Sequence, residues 1–169
     1  VSGGPIYVSD EIGRTRGEIL APLAFGDGKI LRCDRVGTPT ADCLTSDPED
    51  SGAPIKIQNT VGGSGVIAVF NIDRNNSPVS GSIKPSDVSG IKKAEQYVLY
   101  EHFSREMKII GADETVEISL ANNDEFRLYL IIPYENGFAP IGRVDKFVSP
   151  AAITHVSGEE VELYESGEY

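Results

Sequence analysis

The sequence predicts a mainly β protein, an antiparallel β-sandwich preceded by a short α/β segment. Three observations carry that reading. From residue 55 onward, short apolar or alternating runs recur between Gly, Asn and Ser turns, the pattern of an antiparallel sandwich. The 18 glycines and 10 prolines among 169 residues make about one residue in six a breaker of regular structure, against a usual share of about 12%. Near the start, Pro5-Ile6-Tyr7-Val8-Ser9 is apolar without alternation, as in a parallel-type strand buried on both faces.

The elements follow in order. Residues 17–25 are expected to form a short helix or helix–turn, limited by Pro22, whose ring and missing N–H oppose a longer helix. Lys29 to Cys33 reads as a strand after the Asp27-Gly28 turn, and residues 36–54, with Pro39, Pro48 and Pro54, as an irregular loop. Ile55 to Asn59 and Val66 to Asn71 read as strands around a hairpin turn at Gly62-Gly63-Ser64-Gly65. Asp73 to Gly90 reads as loop. Gln96 to Phe103, Met107 to Ile110, Thr115 to Leu120 and Phe126 to Pro133 read as further strands. Ile153 to Ser157 and Val161 to Tyr164 read as a closing pair around Gly158, half exposed because glutamates alternate with its apolar residues.

Composition excludes several functions. The formal net charge is −11, of which −2 falls in residues 1–85 and −9 in residues 86–169. Such a field opposes nucleic-acid binding. No apolar run approaches the ~20 residues of a membrane-spanning helix. Cys33 and Cys43, with no histidine nearby, match no zinc spacing and are expected as reduced, buried thiols, with a disulfide as the alternative.

Residues of catalytic type are sparse. His102 and His155 lie in predicted strands and read as structural or exposed. No G-x-S-x-G elbow is present, and the 62–65 glycine stretch lacks the lysine and helix of a phosphate loop. Asp42, Asp47, Glu49 and Asp50 cluster in a loop without EF-hand spacing, and read as solvated acids rather than a calcium site. Asp10 stands out by position, because parallel-type strands carry functional groups at their C-terminal ends. The competing reading is a turn or N-cap residue, and Glu11 is adjacent.

The residues also resemble a known family. Ser2 to Asp10 is similar to a stretch of the raffinose synthase and seed-imbibition protein group of glycoside hydrolase family 36, the α-galactosidase family. Further matches follow in family order. They include Ile30-Leu31-Arg32, Gly37-Thr38-Pro39-Thr40 with Asp42-Cys43-Leu44, Ile55 to Asn59 and Val69-Phe70-Asn71. Lys84 to Val88, Tyr97 to Tyr100, Gly137 to Gly142 and Ala151-Ala152-Ile153 complete the series.

The resemblance implies a parent with a (β/α)₈ barrel and a C-terminal antiparallel sandwich. Residues 1–30 would be the eighth barrel strand and a helix remnant, and residues 31–169 the sandwich, cut at its C-terminal end. The missing Met at Val1 agrees with further chain upstream. The implied mechanism is retaining, with two carboxyl groups on earlier barrel strands and no metal or cofactor. No residue of this chain matches either catalytic aspartate, so a catalytic role falls to none of them. Only Asp10, with Ser9, matches a substrate-binding position. Ile72 to Asn76 stands where plant members have a Cys-Gln-rich stretch, so hydrolysis and galactosyl transfer both stay open.

The expectation is therefore the C-terminal part of a cytoplasmic enzyme acting on α-galactoside oligosaccharides, inactive by itself, with no nucleic-acid or membrane partner. The alternative is an independent carbohydrate-binding or interaction sandwich. It is disfavoured by the absence of Trp and by the inward parity expected for most of the 7 Tyr and 6 Phe. An orphaned eighth strand would leave Ile6, Tyr7 and Val8 exposed and prone to association.

Overall fold

A computed structural model describes all residues, Val1–Tyr169. Its centre is a tight hairpin. β2 (Ile55–Val61) and β3 (Ser64–Phe70) pair antiparallel through Gly62 and Gly63, at φ 56° and 86°. A two-residue turn of this hand needs positive φ at both central positions, which glycine adopts without a Cβ penalty. The phosphate-loop-like glycines are thus a turn, as the sequence indicates.

β3 pairs with β8 (Phe126–Tyr134), β8 with β5 (Gln96–Glu101), and β5 with β6 (Met107–Gly111). A two-residue strand, β1 (Thr38–Pro39), flanks β2. The result is a six-stranded antiparallel sheet in the order β1-β2-β3-β8-β5-β6. Antiparallel sheets commonly bury one face, but here the inner strands bury both. Alternate residues of β3 and β8 divide between two cores, Val66, Ala68, Leu128, Leu130 and Ile132 on one side and Ile67, Val69 and Ile131 on the other.

The second side is covered by a two-stranded ribbon, β4 (Val79–Ile83) against β7 (Val116–Leu120), which contributes Val79, Ile83, Ile118 and Leu120. β4 lies inside the span expected as loop. Its sequence, Val79-Ser80-Gly81-Ser82-Ile83, has a polar centre that resembles a turn. Gly81 fits tightly there, since a Cβ would meet the Pro54 ring at 3.0 Å.

The first side is covered without a second sheet. Phe25, Leu31, Val148 and Ala152 are buried there, joined by Val1, Cys33 and Ile141. The short helix α1 (Gly17–Leu20) runs into a 3₁₀ turn, Ala21–Leu23, with Pro22 ending regular helix as expected. Backbone bonds fix this cover: Leu31 N–H to Leu23 O at 2.9 Å and Phe147 N–H to Pro22 O at 3.1 Å. The buried Lys146 ammonium donates to Ala21 O at 2.8 Å.

The C-terminal hairpin, β9 (Ile153–Ser157) and β10 (Glu160–Leu163), turns at Gly158 and is mostly exposed. The last residues are tied down. Arg143, largely buried, donates to both Asp145 oxygens at 2.7 and 2.8 Å and also pairs with Glu165. Tyr164 packs on Phe25 at 4.4 Å and donates its hydroxyl to Asp27 at 2.7 Å.

Three expected strand assignments are corrected. Residues 5–9 form no ladder, and Ile6, Tyr7 and Val8 are exposed rather than buried on both faces. Their exposure agrees with an orphaned segment, but a strand needs a hydrogen-bonding partner and none lies beside them. Lys29 to Cys33 makes a single bridge, Ala24 to Ile30, because the sheet edge beside β2 is taken by β1. His102 falls in the turn after β5 instead of within it.

Leu130, fully buried in the first core, is expected to cost about 2–5 kcal/mol when truncated to Ala, by lost transfer energy and cavity formation. Ile12, fully exposed, is expected to change stability by no more than about 0.5 kcal/mol on the same truncation. Urea unfolding of the two variants checks the contrast.

Candidate functional site

One end of the sheet carries a cluster that strand parity does not bury. Phe70 and Phe126 are cross-strand partners at the last position of β3 and the first of β8, with ring centroids 6.2 Å apart. The turn after β5 adds a third ring. The buried Glu101 carboxylate shapes that turn, accepting the N–H of Ser104 at 2.6 Å and of Leu128 at 3.3 Å. Arg105, at φ 60°, closes it by donating its N–H to Glu101 O at 2.9 Å. Phe103 is thereby laid edge-on to Phe126 at 5.0 Å and tilted on Phe147 at 6.1 Å. Edge-to-face contacts at these distances are favourable beyond area burial alone.

His102 sits between Phe103 and Phe147, at 5.0 and 5.2 Å. Its Nδ1 is buried with no hydrogen-bond partner. Burial pushes the imidazole pKa below its ordinary value. Glu101 opposes that shift and Arg105 adds to it. The ring is therefore neutral at pH 7.

The rings front a cleft of about 220 Å³ whose other wall is the N-terminal segment Val1 to Gly4 with Ile6. Cys33 and the two arginines Arg32 and Arg127 complete the polar part of the lining, which contains no carboxylate. The lining thus lacks the two carboxyl groups of a glycosidase centre. Phe70, Phe103 and Phe126 remain 39%, 45% and 46% exposed. This corrects the expectation that the aromatics face inward. Tyr97 and Tyr100, within ladders, are buried. The three phenylalanines lie at strand ends or beyond, where alternation no longer assigns a face. A Phe at each of three strand termini is the signal that could have revealed the patch.

The structure does not bring Ser9 and Asp10 into this cleft. Both are exposed in irregular chain upstream of α1, and the adjacent Glu11 pairs with Arg14 at 2.9 Å. Three of the four loop acids are drawn into ion pairs, while Asp47 accepts the Glu49 N–H. Asp42 takes the buried Lys56 ammonium at 2.6 Å, while Glu49 and Asp50 take Arg74 at 3.0 and 3.5 Å. No group of three or more His, Cys, Asp or Glu is placed to hold a metal ion. Cys33 and Cys43 are both free and half-buried. Burial raises the Cys33 thiol, which opposes the thiolate form needed for nucleophilic chemistry. His155 is exposed on β9. No helix is long and apolar enough to cross a membrane.

Fold and site together define a β-rich domain with an apolar cleft whose lining contains no carboxylate. The chain belongs to the family described as raffinose synthase or seed imbibition protein Sip1, whose model matches residues 1–167. It is 33% identical over 180 residues to a galactinol–sucrose galactosyltransferase of Oryza sativa subsp. japonica, covering 90% of this chain and 23% of that protein. It is 30% identical over 183 residues to the galactinol–sucrose galactosyltransferase of Pisum sativum, covering 90% and 23%. To the stachyose synthase of Pisum sativum it is 29% identical over 183 residues, covering 90% and 21%. The chain thus spans less than a quarter of the length of these relatives.

The neutral, half-buried His102 makes stability depend on pH. With a folded pKa below the unfolded value of about 6.5, the unfolded state binds more protons between the two values. Stability therefore falls as pH drops from 7 through that window. His102→Gln is expected to flatten the dependence of Tm on pH between pH 7 and 5, whereas an unchanged slope would contradict the assignment.

Proposed function

We propose that residues 1–169 are the C-terminal β domain of an enzyme that transfers galactosyl groups between α-galactosides, and that the domain supports the reaction without performing it. The observation that carries this reading is the family match across residues 1–167, supported by the names of its relatives, two galactinol–sucrose galactosyltransferases and a stachyose synthase. In this reading residues 1–30 complete a (β/α)₈ barrel, residues 31–169 form the β domain, and the catalytic carboxylates lie on earlier barrel strands. One carboxylate attacks the anomeric carbon while the other, as acid, protonates the departing oxygen. An acceptor hydroxyl then gives its proton to that second group, now a base, and bonds the anomeric carbon as the first carboxylate leaves, giving retention. A sugar hydroxyl as acceptor gives transfer, and water gives hydrolysis.

Asp10, with Ser9, faces the sugar in this reading. The carboxylate of Asp10 accepts a hydroxyl of the bound galactoside once the remaining barrel strands surround residues 5–9. The free thiols of Cys33 and Cys43 are in keeping with a reducing, cytoplasmic location. The exposed Phe70, Phe103 and Phe126 favour one second reading, an aromatic platform for oligosaccharide.

The test uses galactinol and sucrose. The full-length protein is expected to form raffinose, and the 169-residue chain alone to form none. Turnover by the short chain at enzyme-like rates would overturn the reading. Asp10→Asn in the full-length enzyme is expected to lower kcat/KM roughly 10- to 100-fold, the scale of a lost hydrogen bond to a charged group. An unchanged kcat/KM would remove Asp10 from the site. Saturable binding of raffinose to the short chain, abolished by Phe126→Ala, would favour the platform.

A further inference from the structure

We infer that the open groove on the second face of the sheet, formed by Tyr129 and Arg127 of β8 with Glu106 and Phe103 beside them, is a non-catalytic binding site for a neutral oligosaccharide. It opens on the opposite face from the cleft at Phe70, with Phe103 and Arg127 on the shared edge. The class of ligand follows from the groove itself, and only the choice of an α-galactoside as the sugar rests on the proposed function.

The first support is the strand register. The residues that face the second core turn polar at the same end of three adjacent strands. Along β8 the row reads Ile131, Tyr129, Arg127, along β5 Leu99, Glu101, and along β6 Ile110, Lys108. Glu101 is the cross-strand partner of Tyr129, and its N–H donates to Glu106 O at 2.9 Å. Glu106, Glu101 and Tyr129 therefore share one rung. The β4–β7 ribbon does not cover it, and Val116, the first residue of β7, stands at the groove wall. The concavity left there measures about 980 Å³, at the upper end of the roughly 300–1,000 Å³ usual for small-ligand sites.

The second support is that the polar groups of the groove are unspent. The half-buried Tyr129 hydroxyl makes no hydrogen bond within the chain. Burial raises its pKa, Glu101 adds to the rise, Arg127 opposes it and Glu106 adds further, so the group stays a proton donor at pH 7. The cations nearest Glu106 are taken elsewhere, Arg105 by Glu168 and Lys108 by Glu114 at 2.6 Å, which leaves the Glu106 carboxylate free to accept. Arg127 reaches only Phe126 O, at 3.2 Å, and Glu125, at 3.9 Å.

The third support is the mixture of groups. Six of the eleven lining residues are polar or charged, with Glu101, Glu106 and Glu117 set against Lys108 and Arg127. Neither a cation nor an anion meets a field of one sign there. A sugar hydroxyl both donates and accepts, so a polyol uses a carboxylate, a guanidinium and a phenol together. Phe103, close to half exposed, offers an apolar ring beside them for the C–H face of a pyranose. A protein partner is disfavoured, because the centre of a protein interface is depleted of charged residues.

Hydrogen–deuterium exchange of the full-length protein, titrated with raffinose and read by mass spectrometry, tests the inference. Residues 99–108 are expected to gain saturable protection. Tyr129→Phe and Glu106→Gln are each expected to raise the raffinose concentration at half-protection roughly tenfold, the scale of one lost hydrogen bond to a charged group. Glu106 is exposed, so its variant carries the test even where Tyr129→Phe disturbs packing. Phe70→Ala, in the first-face cleft, is expected to move the midpoint by less than about twofold. No protection of residues 99–108 at any raffinose concentration would overturn the inference. So would protection by spermine or inorganic phosphate in place of raffinose, or raffinose protection that Phe70→Ala abolishes and Tyr129→Phe leaves intact. Failure of the functional reading gives a different result: raffinose protection in a full-length protein that transfers no galactose leaves the groove standing as a sugar site. Galactosyl transfer without protection of residues 99–108 removes the groove alone.

Discussion

The architecture depends on one constraint, that β3 and β8 are apolar on both faces. Val66 to Val69 and Leu130 to Ile132 contain no polar residue, and all but Ala68 are essentially inaccessible. A sheet with two such strands at its centre requires two covers, since each exposed apolar face would forfeit about 25 cal/mol for every Å² left in water. One cover is the β4–β7 ribbon. The other is assembled from segments far apart in sequence, near Phe25, Leu31 and Val148, and it brings the start of the chain and residues 139–152 to the same side. The Arg143 pairs with Asp145 and Glu165 then hold the last residues against this assembly.

The second cover ends before the sheet does. It reaches Phe147 and Val1 but leaves the Phe70–Phe126 rung and Phe103 beyond its edge. The cleft is therefore a direct consequence of a two-faced sheet closed on one side by irregular chain. Local chemistry sharpens it: Glu101 spends its carboxylate on backbone N–H groups, and that choice aims Phe103 at Phe126 instead of at solvent.

Much of this was legible in the sequence because periodicity is local. The alternation of Ile55 to Asn59, the Gly62-Gly63 turn and the apolar Phe126 to Pro133 run each announce their element without reference to the rest. What failed was non-local. Val79 to Ile83 is a strand only because Val116 to Leu120 pairs with it. Ile6 to Ser9 and Lys29 to Cys33 have strand-like composition without a free edge to join. The aromatic cleft escaped for a related reason: parity assigns faces inside a ladder, and Phe70, Phe103 and Phe126 sit where ladders stop. The ordered motif series, by contrast, identified the family from residues spread over the whole chain, and the family match covers nearly all of it. The position of Ser9 and Asp10 relative to a sugar is not readable from these residues alone, since no strand of this chain flanks them.

The proposed role, support of a galactosyl-transferring enzyme whose catalytic carboxylates lie elsewhere in the polypeptide, rests on the family match across residues 1–167. The most direct measurement is a crystal structure of the full-length protein with galactinol bound. In the proposed function, Asp10 lies within hydrogen-bond distance of the galactosyl group. Asp10 remote from the bound sugar would contradict that reading.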